Sequence, residues 1–362
     1  MGDSRVTRRW VLVGAGTAVL LGAAAVTLPA TASADPEDLR TRILAGLPPH
    51  VGYAESTGRL GLPEIAALEQ VTALFTSVTR LRTRYAGPEA WRVDELTPAG
   101  ERDTYRLGGR EYVWDFGANQ LTVVSGETPV RLPRAADLVP SELARRLTSL
   151  TRADPVSALP ARRVAGFDAA GLRITPADPD TTVGRIDVWC DPASALPLRV
   201  EVAARGADQA LLFTEFREVS LSTPEITVPT APPGAGEVTA EAADLAGALR
   251  QLDAAPPPPR LAGRDLVPLA GGLPGVGVYG AGVSGFVLVP ASRGIADRVI
   301  DGAPAAGGTV VDVPVGRAAI LTTPLLSVAA RGGIRRGGVL VAGTVAPAVL
   351  DQALRELPGR RP

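Results

Sequence analysis

Side chains able to do chemistry are sparse in this chain. Its one histidine, His50, follows Leu47-Pro48-Pro49 in a loop-like context, and its one cysteine is Cys190. A zinc site draws on several His, Cys or carboxylate ligands, and a Ser-His-Asp triad needs a histidine poised beside its serine. Neither pattern is present, so we expect no catalytic residue and no metal ligand set, with His50 lying in a surface loop. Carboxylates remain: Glu55, Asp94, Asp115, Asp187, Asp191 and Glu201 fall among strand-like segments. A pair of them could perform the acid–base work of a glycosidase. Sugar-cleaving sites also carry aromatic rings for stacking, and Phe, Tyr and Trp make up only 4% of the chain. An exported hydrolase using a carboxylate pair is therefore the lowest-ranked reading. Gly275-Val276-Gly277-Val278-Tyr279-Gly280 has the G-x-G-x-x-G form. No helix opens after it and no βαβ unit surrounds it, so it reads as a glycine-rich hairpin and no cofactor is implied.

Two further groups invite a binding role. Arg80, Arg82 and Arg84 alternate with Leu81 and Tyr85, which makes them one polar face of a half-buried antiparallel strand. They could meet a partner's acidic groups, but charged edge strands are also how sheets avoid aggregation, and that plainer reading is preferred. Trp91, Tyr112, Trp114, Phe116 and Trp189 are expected to pack the sheet, with a ligand cavity as the other possibility. Cys190 sits in an alternating apolar run, so burial is expected, and a single cysteine makes no intrachain disulfide.

The elements that would position these residues begin after an export signal. Arg5, Arg8 and Arg9 lead into an apolar stretch from Trp10 to Leu28, and Ala32-Ser33-Ala34 precedes Asp35. Basic start, apolar core and A-x-A site make residues 1–34 a signal peptide, with a twin-arginine look at Arg8-Arg9. The apolar run is long enough that a retained membrane anchor is the alternative. Residues 1–34 hold three arginines and one aspartate, so their removal takes the formal charge from −1 to −3. That balance excludes a nucleic-acid partner, which requires a basic patch or stripe.

Helical periodicity is expected from Asp35-Pro36-Glu37, from Pro63 to Phe75, and from Ser141 (a plausible N-cap) to Leu150. Strands are expected at Thr79–Tyr85, Glu111–Phe116, Leu121–Val124, Leu172–Ile174, Ile186–Cys190, Leu198–Val202 and Leu211–Val219. Pro224–Gly236 and the four prolines before Arg260 read as spacers, and Glu237–Leu252 between them as a short helix. Five further strands and a closing helix from Ala346 to Leu357 follow. The expected organisation is an α+β domain over residues 35–228, a Pro-rich linker over 229–259, and a small C-terminal α+β domain over 260–358.

Several motifs of the first domain come in a distinctive order. Pro160-Ala161-Arg162-Arg163-Val164-Ala165-Gly166 is followed by Gly171-Leu172-Arg173-Ile174-Thr175-Pro176. Val188-Trp189-Cys190-Asp191 then leads into Leu196-Pro197-Leu198-Arg199-Val200-Glu201-Val202. With Trp91-Arg92-Val93-Asp94 and Tyr112-Val113-Trp114-Asp115 upstream, residues 50–228 resemble the superfamily of the lipoprotein carrier LolA and the sigma-E regulatory protein RseB, also called MucB. Ala195 stands where glycine is usual in that family's turn. The resemblance implies a strongly curved antiparallel sheet, an open half-barrel, with helices across its concave face. It carries no catalytic residues; ligand-binding residues are left unassigned.

In that family the cavity takes acyl chains of lipids or lipoproteins, or senses them to control an anti-sigma factor. The second domain resembles the one after the half-barrel in RseB-like proteins in element order only. The expectation is thus a non-catalytic, lipid- or lipoprotein-sensing regulator that acts on a membrane-bound anti-sigma factor in the cell envelope. A carrier of lipids or lipoproteins served by an ABC transporter is the alternative.

Overall fold

The computed structural model describes residues 32–61, 69–98, 100–126, 131–241, 249, 255–269, 273–334 and 337–358. Most of the expected export signal, through residue 31, and the expected helical start at Pro63 lie outside the described residues. Two sheets organise the rest.

The larger sheet has twelve strands. They are β1 (His50–Gly58), β2 (Val78–Gly87), β3 (Ala90–Thr97), β4 (Gly100–Leu107), β5 (Arg110–Asp115) and β6 (Gln120–Ser125), then β7 (Val156–Val164), β8 (Phe167–Ile174), β9 (Val183–Cys190), β10 (Pro197–Ala204), β11 (Leu212–Ser220) and β12 (Gly236–Glu241). Their order is β12-β6-β5-β4-β3-β2-β1-β11-β10-β9-β8-β7. Each neighbour is antiparallel except β12, which runs parallel to β6. The sheet is curved and unclosed, and the fold is α+β.

Period-two patterning decides its faces. On β2, Thr79, Leu81 and Thr83 are buried while Arg80 and Arg82 between them are exposed. Helices α1 (Pro36–Ala45), α2 (Glu69–Thr76) and α3 (Pro140–Leu150) lie across the concave face. Asp35 caps α1, its carboxylate accepting from the Glu37 N–H at 2.8 Å, and Pro36 starts the first turn. Leu39 and Ile43, one turn apart, then enter the core together with Leu172, Ile186, Leu198 and Val200. In α3 the buried face is Pro140, Ser141, Ala144 and Thr148, so Ser141 points inward and is not the cap; Leu150 at its end is half exposed. α2 needs a close approach to β1. A side chain on Gly58 would meet the Phe75 backbone at 2.3 Å, so only glycine admits that contact.

Two expectations are corrected here. The arginine-bearing strand β2 is interior, paired with β1 on one side and β3 on the other. Its charges therefore face solvent from the middle of the sheet and do not guard an edge. Glu237, the expected start of a helix, instead stands in β12. Parallel pairing along β6 gives that segment backbone partners that its short helical periodicity alone would not.

The smaller sheet has the order β13-β14-β15-β16-β20-β19-β18-β17. Its strands are β13 (Arg260–Leu261), β14 (Arg264–Val267), β15 (Gly277–Tyr279), β16 (Phe286–Ser292), β17 (Thr309–Val311), β18 (Ala318–Thr322), β19 (Ser327–Ile334) and β20 (Gly337–Gly343). Two helices cover opposite faces. Ala319, Ala330 and Leu340 meet α4 (Arg293–Gly302), while Ala318, Ile320, Ala329 and Val341 meet α5 (Pro347–Glu356). The G-x-G-x-x-G segment supplies β15, one arm of the β15–β16 hairpin, as its lack of a following helix suggested.

The sheets meet at the β8–β9 loop. Thr181 bridges Val345, and its hydroxyl lies 2.8 Å from both the Val283 and the Thr344 carbonyl oxygens, sharing its one hydrogen between them. The Thr182 hydroxyl donates to Leu325 O at 2.6 Å, and Arg264 pairs with Asp180 at 3.2 Å. Threonines serve here because each hydroxyl satisfies a carbonyl that the contact takes out of water.

Candidate functional site

The concave face is packed. His50 opens β1 fully buried, stacked on Tyr85 at 5.2 Å and edge-on to Phe216. Its Nδ1 lies 2.8 Å from Pro48 O, and its Nε2 lies 3.1 Å from Ser141 Oγ. A carbonyl only accepts, so Nδ1 carries the proton and Nε2 accepts from the Ser141 hydroxyl. Burial holds the imidazole below its ordinary pKa and keeps it neutral. The expected surface-loop histidine is thus a core residue that ties β1 to α3. Ser141 and His50 have the outline of a catalytic dyad, but with 2% and 0% exposure neither meets a substrate. Cys190 is likewise fully buried, and burial pushes its thiol pKa up.

The convex face is a ladder of ion pairs, and it absorbs most of the candidate carboxylates. Glu55 pairs with Arg80 at 3.6 Å and Arg217 at 2.9 Å. Asp187 takes a two-pronged contact from Arg173 at 2.7 Å on each oxygen, with Arg185 at 3.4 Å. Glu201 holds Arg199 at 2.7 Å and Arg162 at 2.8 Å. Asp115 pairs with Arg102 on the opposite face, in the register row of Glu95 and Leu81, and Asp191 closes the turn before β10 by accepting from the Ser194 N–H at 3.0 Å. None of these five carboxylates stands as a free acid–base pair.

The same register builds a cluster that sequence reasoning missed. Asp94 on β3 faces Asp103 on β4, and both are 1% exposed. Arg92 contacts Asp94 and reaches Asp103 at 2.8 Å, Arg84 reaches Asp94 at 3.1 Å, and Tyr105 donates to Asp103 at 3.0 Å. Asp94, Glu101 and Asp103 approach closely enough to hold a cation, but Arg92 already occupies the position between them. Burial, and then the Asp94 charge, push Asp103 up to about 7. Asp103 carried no signal of its own, because only the β3–β4 register brings it to Asp94.

Beside this cluster lies a shallow depression of about 750 Å³, lined by Val51, Tyr53, Arg82, Arg84, Leu96 and Glu218. Further along the convex face, Tyr105, Tyr112, Trp114 and Leu121 form an apolar shelf against which Ala231 and Ala235 pack. Phe116 stands edge-on to Trp114 and is 50% exposed. Trp189 is buried with its indole N–H on Pro160 O at 3.1 Å, and Arg134 lies over Trp91. The five aromatics therefore divide between both faces and line no common cavity.

Among the described residues, no helix is long and apolar enough to cross a membrane. No protein-family model matches the chain, and no curated protein matches it in sequence. Its architecture does match a solved one. The crystal structure of MucB in complex with MucA(peri) aligns over 91% of this chain and 100% of that one, at 16% identity and a TM-score of 0.50. The fold is LolA/RseB-like. The Pseudomonas aeruginosa MucA/MucB complex covers the same shares at 16% identity and a TM-score of 0.48. The LolA superfamily protein NE2245 from Nitrosomonas europaea covers 54% of this chain and 96% of its own, at 13% identity and a TM-score of 0.24. The alignment to MucB takes in both sheets, so the LolA/RseB-like fold includes the smaller sheet that element order alone had suggested.

Proposed function

We propose that this chain is an exported, non-catalytic binding protein of RseB type, which holds an extracytoplasmic segment of a membrane-bound anti-sigma factor. The observation that carries the reading is the match to MucB, solved with MucA(peri), over both sheets and the whole of that chain. In this reading residues 1–34 direct export, and the two sheets are two domains, 35–228 and 260–358, with β12 added to the first from the linker. Work of this kind needs complementary surface and no acid–base chemistry, which agrees with carboxylates spent on arginine partners and a histidine sealed in the core.

The carrier alternative requires an apolar cavity for an acyl chain, commonly several hundred Å³. Against it, the space between α1, α3 and the sheet is filled by Leu39, Ile43, Ala144, Leu196 and Leu198, all fully buried. Native mass spectrometry of residues 35–362, purified from their own envelope fraction without delipidation, separates the readings. A complex with an envelope-protein segment is expected. A bound acyl-lipid mass alone would transfer the assignment to a carrier, and a bare chain that takes up neither would overturn both.

A further inference from the structure

We propose that β6 and the aromatic shelf beside it form a peptide-binding edge, which β12 and the turn before it occupy as an internal ligand. This rests on the regulator reading only for the identity of the partner. The occupant fitted is an extended segment of another protein, with proline or small residues first and a strand of about six residues after them.

β12 is a poor strand in a good seat. Its sequence, Gly-Glu-Val-Thr-Ala-Glu, is weak in β formers, whereas β6 reads Gln-Leu-Thr-Val-Val-Ser. It makes the larger sheet's one parallel ladder among the described residues, and such pairing is slightly less stable per residue. Gly236, Glu237, Val238 and Thr239 are all exposed, so its attachment is backbone hydrogen bonding with little apolar burial. Strand addition at a sheet edge uses that same bonding.

The segment before β12 is seated by specific contacts. Ala235 N–H donates to Pro232 O at 3.1 Å, closing a turn with Pro233 and then Gly234 at φ 85. Proline followed by a positive-φ glycine is the type II pattern. Asn119, in the β5–β6 turn, clamps it from both sides. Its carbonyl accepts from the Gly236 N–H at 2.9 Å, and its Nδ2 donates to Gly234 O at 3.3 Å. Ala231 and Ala235 then rest on the shelf of Tyr105, Tyr112, Trp114 and Leu121. Aromatic surface receiving a proline-rich segment is a recurrent peptide-recognition mode. Shelf and edge are thus complementary to one continuous extended peptide, and the chain's own peptide fills them weakly.

The test uses residues 35–362 and a fluorescent synthetic peptide of residues 229–241 as the probe. The Gly236 N–H faces β6, so the two-residue ladder period turns the Val238 N–H toward β6 as well. Val238→Pro removes that bond, and Asn119→Gly removes the side-chain clamp while keeping the positive φ of 49 at that position. The double variant is expected to bind the probe at least 10-fold more tightly than wild type, with faster hydrogen exchange at the β6 amides. Val238 and Thr122 are register partners, so Val238→Cys with Thr122→Cys, once oxidised, locks β12 in place and should abolish probe binding. The oxidised form should also retain less of the envelope partner detected by native mass spectrometry than its reduced form. Equal probe binding by opened and locked forms would overturn the site, as would β6 amides protected equally in both. Equal retention of the partner by oxidised and reduced forms would overturn its role as the docking edge. If no partner is retained by either form, the regulator reading fails, and the probe titration still decides the site.

Discussion

Replacing Arg331 with methionine would leave three backbone carbonyls of the smaller sheet's core without their donor. The guanidinium is fully buried on β19, on the face covered by α5. Its partners are Leu357 O at 2.6 Å, Val315 O at 3.1 and 3.2 Å, and Leu354 O. It thus closes the last turn of α5, where the unsatisfied carbonyls carry partial negative charge. Burial lowers its pKa, and the partners named above are carbonyls rather than a carboxylate. Two effects compete. Removing a buried charge recovers a desolvation cost of several kcal/mol. Against this, each orphaned carbonyl costs about 1–3 kcal/mol, and the lost charge at the helix end up to about 2 kcal/mol. Whole buried ionic groups can be replaced without loss when both partners go, but here the carbonyls stay. We expect a net loss of about 3 kcal/mol.

For the proposed domain of about 100 residues, unfolding as a unit, that is a fall in Tm of about 12 °C or more. The tryptophans among the described residues, Trp91, Trp114 and Trp189, all lie in the larger sheet. Far-UV circular dichroism should therefore show an early transition in Arg331→Met that tryptophan fluorescence does not. Arg331→Lys, which keeps the charge but loses the fork, should fall between. An Arg331→Met protein with unchanged or raised thermal stability would refute the reasoning, because desolvation would then outweigh the carbonyl contacts.

Three other outcomes follow from the buried groups. Asp103, pushed up to about 7, holds a proton when folded that the unfolded chain releases near pH 4, so it costs stability progressively as pH rises from about 4 to 7. Asp103→Asn should be more stable than wild type by roughly 2 kcal/mol at pH 8, with the gap closing toward pH 4; a gap independent of pH, measured by urea titration, would refute this. His50 has the opposite sign. Its lowered pKa means the unfolded chain takes up a proton that the folded one refuses, so stability falls as pH drops below about 6.5, and His50→Gln should flatten the Tm profile between pH 7 and 5. Cys190 should resist a thiol reagent in native protein and react at once in denaturant; fast labelling of the native chain would mean that the core near β9 opens.

Legibility followed range along the chain. The α1 start was readable because its cap, proline and apolar spacing all lie between Asp35 and Ile43. The alternation on β2 likewise placed Leu81 inward and Arg80 and Arg82 outward. The β9–β10 hairpin was readable because its turn, Asp191 to Ser194, is local. His50 was misjudged because its setting is made by Ser141 and Phe216, far away in sequence. The arginine strand was misplaced because alternation reports which face is wet and says nothing of what pairs at either edge.

By itself, then, the sequence determined which segments alternate, where the chain turns, and that it lacks the His and Cys sets of common catalytic and zinc sites. These follow from local sterics and from the period of the backbone. Tertiary structure alone decided that Asp94 meets Asp103, that Arg331 closes α5, and that β12 lies along β6. Each depends on register between strands, or on packing between elements distant in the chain. A shift of one residue would turn those side chains to the other face with no change in composition or periodicity.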